Sequence, residues 1–300
     1  MSYIKVISLS KKKFKELEKI SLSKEILNTE GIIYEFNYRG KNKILKTLYN
    51  SSGATFANKL YTIEMLDVYK EYLPTNFYIP DYLCNVDQHV VGFTVPKIDG
   101  INLNTILTMK KGDYKEQIYY LKKIGEILVQ LHNIRKYTPL KDFYIGDLHE
   151  SNFMVDSNNR ELKVIDLDSS KIGFNKASVA RFLTDKSVIY NINKYIKNTD
   201  ESSNSYIIPD SNTDMYCYII MILNYLYGIN VSNMSIEELF EYLNYLEYIG
   251  VNKELINVFS KIVSNCKNES PLYYLDSLTP EQIYRSSNKV YNNVKGKKIK

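Results

Sequence analysis

The sequence predicts an α+β protein built as two lobes with a cleft between them, on three observations. The first part of the chain alternates β-rich runs around one helical stretch. The part beyond residue 104 reads as helix upon helix. Between the helical stretches lies "FYIGDLHESNFMVD", residues 143 to 156, where Asp, His, Glu and Asn crowd together before an apolar run. The expected division is a small lobe over residues 1–96, with a helical extension over about 1–22, and a larger lobe over 97–300.

In the first lobe, "GIIYEFNYRG" and "KNKILKTLYN" are two strands joined through Arg39 and Gly40. A helix follows over "ATFANKLYTIEMLDVYKEYLP", with apolar residues at intervals of three and four and Pro74 as its stop. "YIPDYLCNV" and "HVVGFTVPKI" are two further strands. "YKEQIYYLKKIGEILVQLHNI" is a long amphipathic helix, and "MYCYIIMILNYLYG" a buried core helix too short and too polar to span a bilayer. Helices are expected to continue to about residue 287, before a basic tail ending in "KGKKIK".

Composition limits the function classes. The chain has 300 residues, 44% hydrophobic and 24% charged, which is ordinary for a folded globular protein. A net charge of +5 that rests on lysine with few arginines describes a solvated surface, so no nucleic-acid partner is expected. Cys84, Cys217 and Cys266 are odd in number and widely spaced, so neither a disulfide framework nor a zinc site is indicated. A reducing cytoplasm is expected. The opening "MSYIKVISLSKKKFKELEKI" has no continuous apolar core of the secretory kind, and no membrane association is expected.

Residues 152–166 carry the chemistry. Phe153 to Val155 form a strand, "DSNNR" a turn and Leu162 to Ile165 the antiparallel return. The hairpin brings Asn152 and Asp166 side by side, with Asp147 one loop away. Three oxygen-bearing side chains at one end of a hairpin suit a hard cation such as Mg2+, which takes oxygen ligands and keeps waters and substrate phosphates.

This arrangement, Asp147 and Asn152 in "DLHESN" followed by a strand, a turn and "VIDLD", resembles the catalytic and metal-binding loops of the protein-kinase-like superfamily. The resemblance covers roughly residues 25 to 270. It implies a catalytic loop at 145–152, a metal loop at 166–168 and an activation segment over about 169–213. Asp147 would orient the acceptor hydroxyl and take its proton. Asn152, Asp166 and Asp168 would hold Mg2+ against the phosphates of ATP. Lys46 would bind the α and β phosphates and pair with Glu64 on the helix. Gly31 matches the last glycine of the phosphate-covering loop, while Ile26 and Asn28 stand where the two earlier glycines belong. Val95 would guard the back pocket, and the backbone of Pro96 and Ile98 would hold adenine. Asp214 would open the central helix and brace the catalytic loop from below.

Taken singly, each residue has an ordinary reading. Lys46 reads as a surface lysine, Glu64 as a solvated helix residue, and Asp147 with Asn152 as a turn or cap. His149 and His132 read as packing or capping residues. Their order along the chain favours the functional reading.

Departures from the family shape the expected activity. Ile145-Gly146 stand where protein kinases carry His-Arg, which removes the usual partner of a phosphorylated activation loop. Gly146 with "DLH" resembles the aminoglycoside phosphotransferase and choline kinase type. "IDLDS" resembles bacterial eukaryotic-like Ser/Thr kinases with an Ile-Asp-x-Asp-Ser signature. The stretch from Pro96 to Asp147, mostly one connector and one helix, leaves no room for a small-molecule acceptor subdomain. A long segment with Ser, Thr and Tyr separates Asp166 from Asp214, and Ile208-Pro209-Asp210 resembles its Ala-Pro-Glu end. The expectation is therefore an ATP- and Mg2+-dependent Ser/Thr protein kinase whose substrate is another protein or itself. A small-molecule kinase and a nucleotide-binding pseudokinase are the alternatives.

Overall fold

The computed structural model describes residues 4–17, 31–48, 53–109, 114–173, 211–227 and 236–263. The activation segment beyond 173, the positions of Ile26 and Asn28, Ile208-Pro209-Asp210, Cys266 and the basic tail lie outside the described residues.

Five strands make the first sheet: β1 (Lys5–Leu9), β2 (Gly31–Tyr38), β3 (Lys41–Leu48), β4 (Tyr82–Val86) and β5 (His89–Pro96), in the order β1-β4-β5-β3-β2. β2 and β3 turn through Arg39 and Gly40, with φ of 52° and 77°, the left-handed pair that matches the twist of a two-residue hairpin. β4 and β5 turn the same way through Asp87 and Gln88.

The opening segment departs from the expected helical extension. Lys5–Leu9 is a strand laid parallel to β4, Lys5 opposite Tyr82, and among the described residues up to 17 the short helix α1 (Lys11–Lys15) follows it. Val6 and Ile7 are β-branched and stiff at χ1, and Ile7 gains burial against Tyr34, Phe36, Leu45 and Cys84. Ser10 then ends the strand and caps α1, its hydroxyl accepting the Lys13 N–H at 3.3 Å.

Helix α2 (Ala54–Val68) buries Ile63 with Ile4, Leu83 and Phe93. β6 (Gly100–Asn102), β7 (Phe153–Asp156) and β8 (Leu162–Val164) form a second, antiparallel sheet. Tyr78 N–H donates to Val164 C=O and Val164 N–H to Asn76 C=O, each at 2.8 Å, so β8 is stitched to the segment between α2 and β4. The rest is helical: α3 (Leu103–Met109), α4 (Tyr114–Tyr137), α5 (Ser211–Tyr227), α6 (Ile236–Tyr248) and α7 (Lys253–Val263). Its core joins Leu121, Ile124 and Leu128 of α4 to Ile219, Ile222 and Leu223 of α5, with Phe153 and Val164 of the small sheet. The Tyr218 hydroxyl donates to Leu121 C=O at 2.8 Å and locks α5 to α4. No helix among the described residues is long and apolar enough to cross a membrane.

Candidate active site

The β7–β8 hairpin sets the centre. Phe153 faces Val164, and one step outward Ile165 N–H donates to Asn152 C=O at 2.9 Å, so the backbones at 152 and 165 are tied and Asp166 emerges beside Asn152. Asp166 adopts a left-handed conformation (φ 62°, ψ 40°), which a short polar side chain tolerates. A single 3-10 turn, Leu167–Ser169, then buries Asp168 completely.

β3 supplies Lys46, which is 6% exposed. Its ammonium donates to Asp166 Oδ1 at 2.5 Å and reaches Asp168 Oδ1 at 3.2 Å and Oδ2 at 3.4 Å. From α2 comes a residue the sequence reading missed. Lys59, 3% exposed, donates to Asp168 Oδ2 and to Ser169 Oγ, both at 2.7 Å. One turn on, the Thr62 hydroxyl donates to Ser170 C=O at 3.3 Å.

Glu64 was expected to hold Lys46, and it does not. It is solvent-exposed on α2, and the carboxylates against Lys46 are Asp166 and Asp168. The reason is rotational: the face of α2 that meets the 3-10 turn carries Lys59, Thr62 and Ile63. Both oxygens of Asp168 meet lysine ammonium groups, so it serves them as counter-ion. Burial raises the Asp166 carboxyl to about 6; Lys46 opposes the rise and the Asp168 charge adds to it. Burial pushes Asp168 upward as well, but the Lys46 and Lys59 charges outweigh it and hold that carboxyl well below the usual range.

Asp147 is joined to the hairpin through Asn152. Asn152 Nδ2 donates to Asp147 C=O at 2.7 Å and shapes the loop. The Asp147 side chain keeps a buried Oδ1 with no hydrogen-bond partner, while Oδ2 lies 3.7 Å from His149 Nε2. His149 Nδ1 accepts the Ser151 N–H at 3.2 Å, so in the neutral ring the proton is on Nε2, on the Asp147 side. Below, Asp214 at the start of α5 is 1% exposed and accepts the N–H groups of Ile145 at 3.2 Å and Gly146 at 2.8 Å. Gly146 takes φ 75°, a conformation that favours glycine. Tyr144 and Lys171 exchange backbone hydrogen bonds at 3.0 and 2.9 Å, fastening the loop before Asp147 to the segment after Asp168.

The expected adenine-binding residues lie at the end of β5. Val95 and Pro96 are half-buried and pair with Ile44 and Lys43 of β3. Ile98 follows in an open connection, and its N–H and C=O make no hydrogen bond among the described residues. Gly31 is buried at the start of β2; a Cβ there would lie 1.5 Å from Thr47 O, so close strand packing by itself demands glycine.

No cluster of three or more His, Cys, Asp or Glu side chains able to hold a metal occurs among the described residues. A cation at Asn152 and Asp166 would take its remaining ligands from water and substrate, the habit of Mg2+ rather than of a protein-caged ion. The orphaned Asp147 Oδ1 fits the same reading, since a buried carboxylate oxygen without a partner suits an incoming donor. No protein-family model matches this sequence, and no curated protein does.

Proposed function

We propose that the chain is an ATP- and Mg2+-dependent phosphotransferase of the protein-kinase-like type, with a Ser or Thr hydroxyl of a protein, its own chain included, as acceptor. One observation carries this reading. Lys46 on β3, Asp166 after β8, and Asp147 with Asn152 on a loop hung from Asp214 are distant in the chain, yet linked through one set of short contacts. In this reading the five-stranded sheet with α2 is one lobe, the helices are the other, and the nucleotide lies between them.

Bound Mg2+-ATP supplies the γ-phosphoryl group and the neutralisation of charge along it. Lys46 binds the α and β phosphates, and Asn152 and Asp166 hold the metal. Asp147 Oδ1 accepts a hydrogen bond from the acceptor hydroxyl and takes its proton as the oxygen–phosphorus bond forms and the bond to ADP breaks. The open N–H and C=O of Ile98 match the edge of adenine. Positioning and charge account for most of the rate. The buried thiol of Cys84 accords with a reducing cytoplasm.

The test is purified protein with labelled ATP and Mg2+, followed by mass spectrometry of the modified sites. Asp147→Asn should retain nucleotide binding and lose transfer by about 10²-fold or more; equal phosphorylation by both forms would remove Asp147 from this role. Label moving to choline, a sugar or an aminoglycoside would make the chain a small-molecule kinase. Nucleotide binding with no transfer would make it a binding module.

A further inference from the structure

In the functional reading adenine lies against residues 95–98, and the metal against Asn152 and Asp166. The chain runs from the first of these places straight into β6, and β6 lies on β7, which begins one residue after Asn152. The approach is close. A Cβ on Gly100 would lie 2.3 Å from Val155 C=O, and Ser157 N–H donates to Asp99 C=O at 2.9 Å. Asn102, opposite Met154 at the end of β6, reaches farther along the partner than the strand pairing does. Its Nδ2 donates to Ser151 C=O at 2.8 Å, and its Oδ1 accepts the Asn104 N–H at 3.0 Å at the start of α3. One partner needs a donor and the other an acceptor, so the amide can face only one way.

The carbonyl of Ser151 and the N–H of Asn152 belong to one planar peptide. Asn102 holds the carbonyl, and the N–H donates to His149 C=O at 3.0 Å, so both ends of that plane are fixed. Asn152 leaves this plane as a buried residue whose Nδ2 is committed to Asp147 C=O at 2.7 Å. Its Oδ1 is then the atom for a hard cation, and a tilt of the peptide would turn it aside. We propose, resting on the phosphotransferase reading, that Asn102 is a positioning residue for Mg2+: by gripping the Ser151–Asn152 peptide from the connection after β5, it keeps Asn152 Oδ1 presented to the metal. The segment that meets adenine and the residue that meets the metal are thereby joined through one side chain.

The experiment is titration of the full chain with a non-hydrolysable ATP analogue over a series of Mg2+ concentrations, with circular dichroism and amide hydrogen exchange alongside. Asn102→Ser keeps an oxygen for the Asn104 N–H but is too short to reach Ser151. It should raise the Mg2+ concentration needed for half-maximal binding by about tenfold or more. Affinity for metal-free nucleotide should be nearly unchanged, and exchange at the Asn152 N–H should quicken. Asn102→Asp keeps both the acceptor and the length, and its negative charge would draw a cation in, so weaker Mg2+ binding there too comes from the lost grip on Ser151. In an Asn152→Ala background, Asn102→Ser should change the Mg2+ requirement no further, because its action runs through Asn152. A purely structural role predicts a lower melting temperature with the Mg2+ requirement of the wild type. That result, or losses that add in the double variant, would overturn the proposal. If the wild type binds the analogue equally with and without Mg2+, this inference falls and nucleotide binding stands. If it does not bind the analogue at all, the phosphotransferase reading falls and takes the inference with it. Should Asn102→Ser not fold, Asn102→Asp is read by itself: a raised Mg2+ requirement supports the proposal, and an unchanged or lowered one overturns it.

Discussion

Asp166 and Asp168 stand two residues apart, share Lys46, and titrate in opposite directions. The difference lies in the number of cations each one meets. Asp168 has two ammonium groups against it, and its ionised form stabilises the fold at neutral pH. That contribution is present above the ordinary carboxylate value of 3.8 and is lost as pH falls below it. Asp166 has one ammonium and a neighbouring negative charge, and its carboxyl is raised to about 6. Its favourable form is the neutral one, so its contribution is complete below 3.8 and disappears as pH rises through about 6. Yet the Asp166 side chain is 39% exposed and lies 2.5 Å from the Lys46 ammonium, so water and that contact offset much of the cost of ionising it. Asp166→Asn should therefore change the melting temperature of the nucleotide-free protein little at pH 7 to 8. A large gain at pH 7.5 that vanishes near pH 5 would show that burial governs this carboxyl.

Elements show why some of the site was legible in sequence and some was not. The β7–β8 hairpin is written locally: apolar residues on both sides of "DSNNR" leave one way to fold, and Asn152 and Asp166 follow from its register. The β2–β3 hairpin is written in Arg39-Gly40 in the same way. Helix α2 was located correctly, but its rotation was not, because apolar residues occur around much of its circumference and the periodicity does not separate the Lys59 face from the Glu64 face. Only the position of the 3-10 turn at Leu167–Ser169, fixed by distant packing, decides between them. β1 was invisible for a related reason: "KVISL" is short, lies next to lysine-rich helical sequence, and its partner β4 is far along the chain. Gly31 teaches a different lesson. Resemblance gave it a role over phosphate, whereas the strand contact already forbids a side chain. Gly31→Ala should force β2 away from β3 and cost about 2–3 kcal/mol in urea-induced unfolding. An unchanged midpoint would mean that β2 shifts without cost. Asp214→Ala should cost about 3 kcal/mol by leaving two buried N–H groups unpaired, and should speed hydrogen exchange at Ile145 and Gly146.

At the scale of the molecule, the described residues tie the five-stranded sheet and α2 to the helical part through the stitch between residues 76–78 and β8, the packing of Leu66 on the helical core, and the charge cluster around Asp168. A ligand that binds across this junction adds to the ties. An ATP analogue with Mg2+ at 100 times its dissociation constant should stabilise the chain by about 2.7 kcal/mol, visible as a melting shift of several degrees. Lys46→Met should abolish that shift. A wild type whose melting point ignores the ligand would argue that the junction holds no nucleotide.

The parallel pairing of β1 with β4 has a consequence for how the chain is made. Lys5 to Leu9 leave the ribosome before the edge they must join, which appears only after β2, β3 and α2 have been synthesised. Until then a nascent chain carries a β-branched ribbon with nothing to dock on, the sort of sticky end that chaperones shield. Completion of the sheet therefore waits on translation, and deletion of Lys5–Leu9 should show its harm first as poor yield in the cell.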